Sequence, residues 1–136
     1  MGGVAVVDTN VLLYSINRSS EKYGEARKLV NSLDRIFLPT IVMYELVWNL
    51  AVAGISPQEA EKTVSKILLN ERVTLVDDRQ YLLSAFELFG NLGLKHYNDS
   101  AILAVAKDVG TLATYDKKLR NRAKKLGTKL LPEVIE

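Results

Sequence analysis

The sequence predicts an α/β fold: a three-layer α/β/α sandwich with a central parallel sheet of about five strands. Two observations carry this prediction. Five short apolar runs alternate along the chain with longer stretches of helical period, the pattern of β-α units. The first run, Val4-Ala5-Val6-Val7, is continuously apolar instead of alternating, as a parallel strand covered on both faces must be.

The elements follow in order. Val4 to Val7 forms the first strand and ends at Asp8. Residues 20–34 read as a helix with Tyr23, Ala26, Val30 and Leu33 on one face. Ile36-Phe37-Leu38 before Pro39 is a second strand, and residues 40–53 form a strongly apolar helix closed by Gly54. Ser56-Pro57-Gln58-Glu59 is a helix start, with Ser56 capping, Pro57 at the first helical position and Glu59 completing a capping box. That helix is expected to bury Ala60, Val64, Ile67 and Leu68. Val73 to Val76 is the third strand. A helix over about residues 78–92 should turn Leu82, Phe86 and Phe89 inward. Asn98 is placed to cap the next helix, which runs to about Val109. Thr111 to Thr114 is the fourth strand, residues 117–126 a basic helix, and Lys129 to Leu131 a last short strand before Pro132.

Length and composition agree with one domain spanning residues 1–136, since 136 residues with 48% hydrophobic and 25% charged side chains are ordinary for a soluble domain. No cysteine is present, which excludes disulfides, thiolate metal sites and thiol nucleophiles. His96 is the one histidine, so no site can use two imidazoles. The start lacks a basic segment followed by a long apolar one, and no apolar run approaches the length of a membrane span, so a cytoplasmic location away from membranes is expected. The net charge of +2 is uneven. Residues 1–110 carry 11 Lys/Arg against 13 Asp/Glu, and residues 111–136 carry 7 against 3. A basic tail on a slightly acidic body suits a polyanionic partner, although a solvated helix face has the same composition.

Four acids stand out. Asp8 and Asp116 each follow a strand directly, where ligands bind in open parallel sheets. Asp99 opens the Ala-rich helix after Asn98. Helix capping or a favourable helix dipole explains each of these three taken singly. Glu45 has no such explanation. It lies within Ile41-Val42-Met43-Tyr44-Glu45-Leu46-Val47-Trp48, with mostly apolar neighbours three and four positions away, where an ionised carboxylate needs a cation. Converging carboxylates repel unless a divalent ion neutralises them. All-oxygen ligation without a usable Cys or His pair selects Mg²⁺ or Mn²⁺, the metals of phosphoryl transfer.

These residues sit in four motifs that resemble those of the PIN-domain family, and within it the VapC-type toxins of prokaryotic toxin–antitoxin pairs. The motifs are Val6-Val7-Asp8-Thr9-Asn10, Pro39 to Leu46 around Glu45, Asn98-Asp99-Ser100-Ala101, and Thr114-Tyr115-Asp116. Their order and spacing match over nearly the whole chain. Asn98 and Ser100 depart from the commonest flanks of the third.

The resemblance implies a Mg²⁺- or Mn²⁺-dependent endoribonuclease in which Asp8, Glu45, Asp99 and Asp116 hold one or two metal ions. Asn10 and Thr114 would be polar supports. It also implies a homodimer and a small antitoxin that covers the site. Lys117, Lys118, Arg120 and Arg122, on the helix after Asp116, are expected to touch RNA phosphates. Met43, Tyr44 and Trp48 read as core or dimer packing, and His96 as a loop residue. A catalytically silent PIN-like module that binds RNA or protein is the alternative. A haloacid-dehalogenase-type phosphatase is disfavoured because Asn10 stands where its second acid is needed. A two-component receiver domain is disfavoured because the 36–39 strand ends without a phosphorylatable Asp.

Overall fold

The computed structural model describes residues 3–88 and 93–135. Its five strands, β1 (Val4–Val7), β2 (Arg35–Pro39), β3 (Val73–Val76), β4 (Thr111–Ala113) and β5 (Lys129–Leu131), form one all-parallel sheet in the order β3-β2-β1-β4-β5. The expected strands are all present, within one or two residues at their ends. Ala5, Val6 and Val7 are fully buried, which explains why the central strand reads as uninterrupted hydrophobicity.

The helices among the described residues are α1 (Thr9–Ile16), α2 (Tyr23–Ser32), α3 (Thr40–Val52), α4 (Pro57–Leu69), α5 (Ser84–Glu87), α6 (Tyr97–Val109) and α7 (Lys117–Lys125). Among the first four, α1 packs on both α2 and α3, and α3 packs on α4. The last three form a second packed group, and α3 also meets α6. The described helices include none long and apolar enough to cross a membrane.

Helix ends follow local chemistry. Ser56 Oγ accepts from the Glu59 backbone N–H, and Pro57 opens α4 as expected. Gly54 and Gly110 close α3 and α6 with positive φ, which a side chain with a Cβ adopts only under strain. The N-terminus of α3 is capped from outside its own segment. Asp78 Oδ2 accepts from Ile41 N–H at 2.8 Å, and Thr40 Oγ1 donates to the Val76 carbonyl. The end of β3 thereby fixes where the Glu45 helix begins.

The structure corrects four expectations. The helix α1, directly after Asp8, was not assigned from sequence as an element of its own. The helix expected over residues 78–92 is a 3₁₀ turn, Asp78–Tyr81, followed by the single-turn α5. Leu82 and Phe86 are half exposed instead of inward, because such short turns cannot keep one face on the core. Phe89 and the expected end of that helix lie outside the described residues. α4 lies at the periphery: Ala60, Val64 and Ile67 are only partly buried against the core, and Leu68 is exposed. Asn98 does not cap α6, which begins one residue earlier. His96 occupies the cap position and its carbonyl accepts from Ser100 Oγ. Of the three residues expected to pack, Met43 is buried in the core, whereas Tyr44 and Trp48 are 69% and 70% exposed.

Candidate active site

The sheet order makes β1 and β4 neighbours, with Val7 opposite Ala113. The chain turns to opposite sides of the sheet here, the place where open α/β sheets leave a crevice at their carboxyl ends. Asp8 and Asp116 leave from these two strand ends. The Asp8 N–H continues the ladder by donating to the Ala113 carbonyl at 2.9 Å.

Asp8 is 6% exposed and fully hydrogen-bonded. Its Oδ1 accepts from Thr9 N–H at 2.8 Å, which caps α1, and its Oδ2 accepts from Thr114 Oγ1 at 2.7 Å and Asn10 Nδ2 at 3.3 Å. Thr114 is wholly buried, and its hydroxyl also receives Asn10 Nδ2 and the Asp116 N–H. Asn10 Oδ1 in turn accepts from Tyr115 N–H. Asn10 and Thr114 therefore tie Asp8 to the segment that carries Asp116. Asp116 caps α7, its Oδ1 accepting from Lys118 and Leu119 N–H. Local capping and a place in the acidic group coexist in both residues.

Glu45 is partly buried on α3, and its partner comes from another helix. Thr9 Oγ1 donates to Glu45 Oε1 at 2.8 Å, and the Asn98 side chain also hydrogen-bonds it. Thr9 and Asn98 are the site residues that sequence reasoning left without a role. Thr9's position directly after Asp8 was the available signal. For Asn98 the signal was misread as a cap.

The electrostatics join the four acids. Burial pushes the Asp8 carboxyl up to about 7. Hydrogen bonds from Thr114 and Thr9 oppose that rise, and the charges of Glu45 and Asp99 add to it. Glu45 is raised by burial, held down by the Thr9 bond, and raised again by Asp99. Asp99 is raised by burial and by Asp116, and lowered by Arg122 and His96. Asp99 thus feels or exerts repulsion on every other member.

Among the described residues, no Lys or Arg pairs with Asp8 or Glu45, and no three acid or histidine side chains close on one point as a finished ligand cage. The donors themselves fit a hard divalent cation. They are carboxylate oxygens from four separate elements, hard donors of the type a divalent ion takes, and such an ion would relieve their mutual repulsion.

The basic helix divides. Lys117 and Lys118 are exposed beside Asp116. Arg120 does not fit the expected RNA contact: it is 6% exposed, and its guanidinium donates to the carbonyls of Thr114, Leu131, Pro132 and Glu133. Arg120 turns inward because it lies on the same face of α7 as Leu119 and Ala123, over carbonyls at and just past the ends of β4 and β5. Arg120→Ala should therefore lower the stability by about 3 kcal/mol, since the buried Thr114 carbonyl loses its guanidinium donor together with the part-buried bonds to the chain after β5. A thermal melt checks this, and a melt within a degree or two of wild type would contradict it. Arg122 is half-buried, its Nη2 donating to Leu88 O at 2.7 Å and Ser100 Oγ at 2.6 Å, so it braces α6 against α7.

Comparison with known proteins agrees with this fold. The family model described as PIN domain matches residues 5–125. Among curated protein sequences, none matches the chain. Among solved structures, VapC20 of Mycobacterium tuberculosis, described as a Sarcin-Ricin loop cleaving toxin, superposes with a TM-score of 0.72 at 18% identity, over 87% of this chain and 93% of that one. VapBC2 from Rickettsia felis, bound to a DNA fragment from its promoter, gives a TM-score of 0.59 at 20% identity, over 97% of this chain and 96% of that one. At these identities the two structures establish a shared fold.

Proposed function

This chain belongs to the PIN-domain family, and on that footing we propose that it is a metal-dependent endoribonuclease, the toxin of a VapBC-type toxin–antitoxin pair. The observation that carries the proposal is the mutual repulsion of Asp8, Glu45 and Asp99 around the β1–β4 crevice, with no protein cation paired to Asp8 or Glu45 among the described residues. The caps and hydrogen bonds of these acids are structural, but their mutual repulsion is a cost to the fold that a divalent ion would offset.

Asp8, Glu45, Asp99 and Asp116 would hold Mg²⁺ or Mn²⁺. When bound, such an ion supplies Lewis acidity toward a phosphodiester and offsets the charge of the cluster. The chain's own residues do the rest. Thr114 and Asn10 fix the Asp8 carboxylate through both Oδ2 contacts, and Thr9 fixes Glu45, so neither acid needs to reorganise. Lys117 and Lys118, at the start of α7, attract the RNA backbone to the acidic centre.

Both solved structures carry VapC- or VapBC-type names, and one is described as a Sarcin-Ricin loop cleaving toxin, which supports an RNA substrate and a small antitoxin as partners here. The exposed Tyr44, Trp48 and Val52, repeating every four residues along α3, support a homodimer.

The test is incubation of purified protein with total RNA and with structured and single-stranded RNAs, in Mg²⁺, Mn²⁺ or EDTA. Cleavage with either metal and none in EDTA is expected. Absence of cleavage across the whole panel overturns the nuclease reading.

A further inference from the structure

We propose that Ser100 is a positioning residue that holds the Arg122 guanidinium off Asp99 and so keeps that carboxylate free for a divalent cation. This role rests on the metal reading above, and it makes Ser100 and Arg122 determinants of how tightly the ion is held.

Asp99 differs from the other three acids in its partners. Asp8 and Glu45 accept hydrogen bonds from neighbouring side chains, and Asp116 accepts them from the first turn of α7. Asp99 accepts none among the described residues, although it feels the charges of Asp116, Arg122 and His96. Asp99 and Arg122 line the same groove between α6 and α7. A guanidinium beside an unpartnered carboxylate normally closes on it, since a charge-assisted forked pair is stronger than a bond to a neutral acceptor. Among the described residues, no ion pair joins these two.

The first turn of α6 supplies the reason. Arg122 Nη2 donates to Ser100 Oγ at 2.6 Å and to Leu88 O at 2.7 Å, so neutral acceptors hold it. Ser100 is wholly buried, and the residues that follow it, Ala101 to Ala106, are all apolar. A buried hydroxyl in such a helix needs partners, and this one is used both as donor and as acceptor. Its hydrogen goes to the His96 carbonyl at 3.1 Å, which leaves its lone pairs for Arg122. The His96 carbonyl thus orients the hydroxyl, and the hydroxyl anchors the guanidinium. Alanine at position 100 suits a helix at least as well. It would leave Arg122 with a single neutral acceptor next to a bare carboxylate. A guanidinium paired with Asp99 would then occupy the charge that a divalent ion needs.

The experiment follows Mn²⁺ binding by calorimetry, without RNA and well below the melting temperature of each protein. Ser100→Ala should bind Mn²⁺ about tenfold more weakly than wild type, because the released guanidinium competes for Asp99. Arg122→Gln removes the competitor and should bind as tightly as wild type or more tightly. The Ser100→Ala/Arg122→Gln double variant should bind within about twofold of Arg122→Gln, so the second change rescues the first. Arg122→Met, equally uncharged, takes the place of Arg122→Gln if that variant does not fold. A role limited to bracing α6 on α7 predicts the opposite sign: loss of Arg122 weakens binding, and the double variant is no better than Ser100→Ala. That result, or Ser100→Ala binding within about twofold of wild type, overturns the inference. Failure of the wild-type protein to bind Mn²⁺ removes the inference together with the metal reading. The expected binding pattern without any RNA cleavage keeps the inference and removes only the nuclease reading.

Discussion

Asp8→Asn should abolish RNA cleavage and also remove much of the pH dependence of stability in the metal-free protein. Both effects come from one buried carboxyl. Folding raises Asp8 from the ordinary 3.8 to about 7, mainly by burial. The folded state therefore holds this proton more tightly than the unfolded state does. Its contribution to stability is fully present below about pH 4, declines as pH rises towards 7, and is gone above that. A rise of about three pH units in a nearly buried group corresponds to a ceiling of about 4 kcal/mol. For a chain of this size that is a fall in Tm on the order of 10 °C.

Glu45 and Asp99 are shifted in the same direction, so they steepen the same decline. Asparagine cannot ionise. The variant should consequently show a much flatter profile, offset by a constant penalty because its amide nitrogen would face donors at Thr114 or Thr9. Thermal melts from pH 4.5 to 8 in EDTA measure this. At pH 8, added Mg²⁺ should raise the Tm of the wild-type protein by mass action, and do so far less in Asp8→Asn. Parallel pH profiles for the two proteins would show that Asp8 does not ionise in the folded state as described.

Asp99→Asn should be the next most damaging change, with cleavage reduced by at least about 100-fold, and Asp116→Asn should cost only about tenfold. Asp99 is the member whose charge acts on Asp8 and Glu45 and which itself feels Asp116, so its loss should disturb the whole group. Asp116 is not among the charges that raise Asp8 or Glu45, and its Oδ1 already accepts two backbone N–H groups at the start of α7. Asparagine preserves that cap, so Asp116→Asn isolates the lost charge from the loss of helix stability. Single-turnover cleavage against Mg²⁺ concentration separates affinity from rate. If Asp116→Asn proves as inactive as Asp99→Asn at saturating Mg²⁺, this ordering of the acids is wrong.

The strands were readable because their chemistry is local. Apolar runs of β-branched residues bounded by turn residues leave little else for Val4–Val7 or Val73–Val76 to form. Ser56-Pro57 and Gly54 marked the ends around α4 and α3 for the same reason. Residues 78–88 misled because Leu82 and Phe86 have a helical spacing that short turns do not use, and no local signal distinguishes the two. Arg120 misled because charge in a sequence reads as exposure. Its burial depends on carbonyls supplied by β4 and by the residues that end the chain.

The sequence by itself determined the α/β class and the order of the strands along the chain, and singled out four acids as candidates, because strand periodicity, caps and a carboxylate on an apolar helix face are properties of short segments. Tertiary structure alone decided which partners those acids have. Thr9 meets Glu45 across 36 residues and Thr114 meets Asp8 across 106. Whether Asp8 stays ionised depends on the burial and repulsion that arise only when β1, β4, α3 and α6 come together. Hydrogen bonds and desolvation act through space, over a few ångströms, and sequence separation carries no record of them.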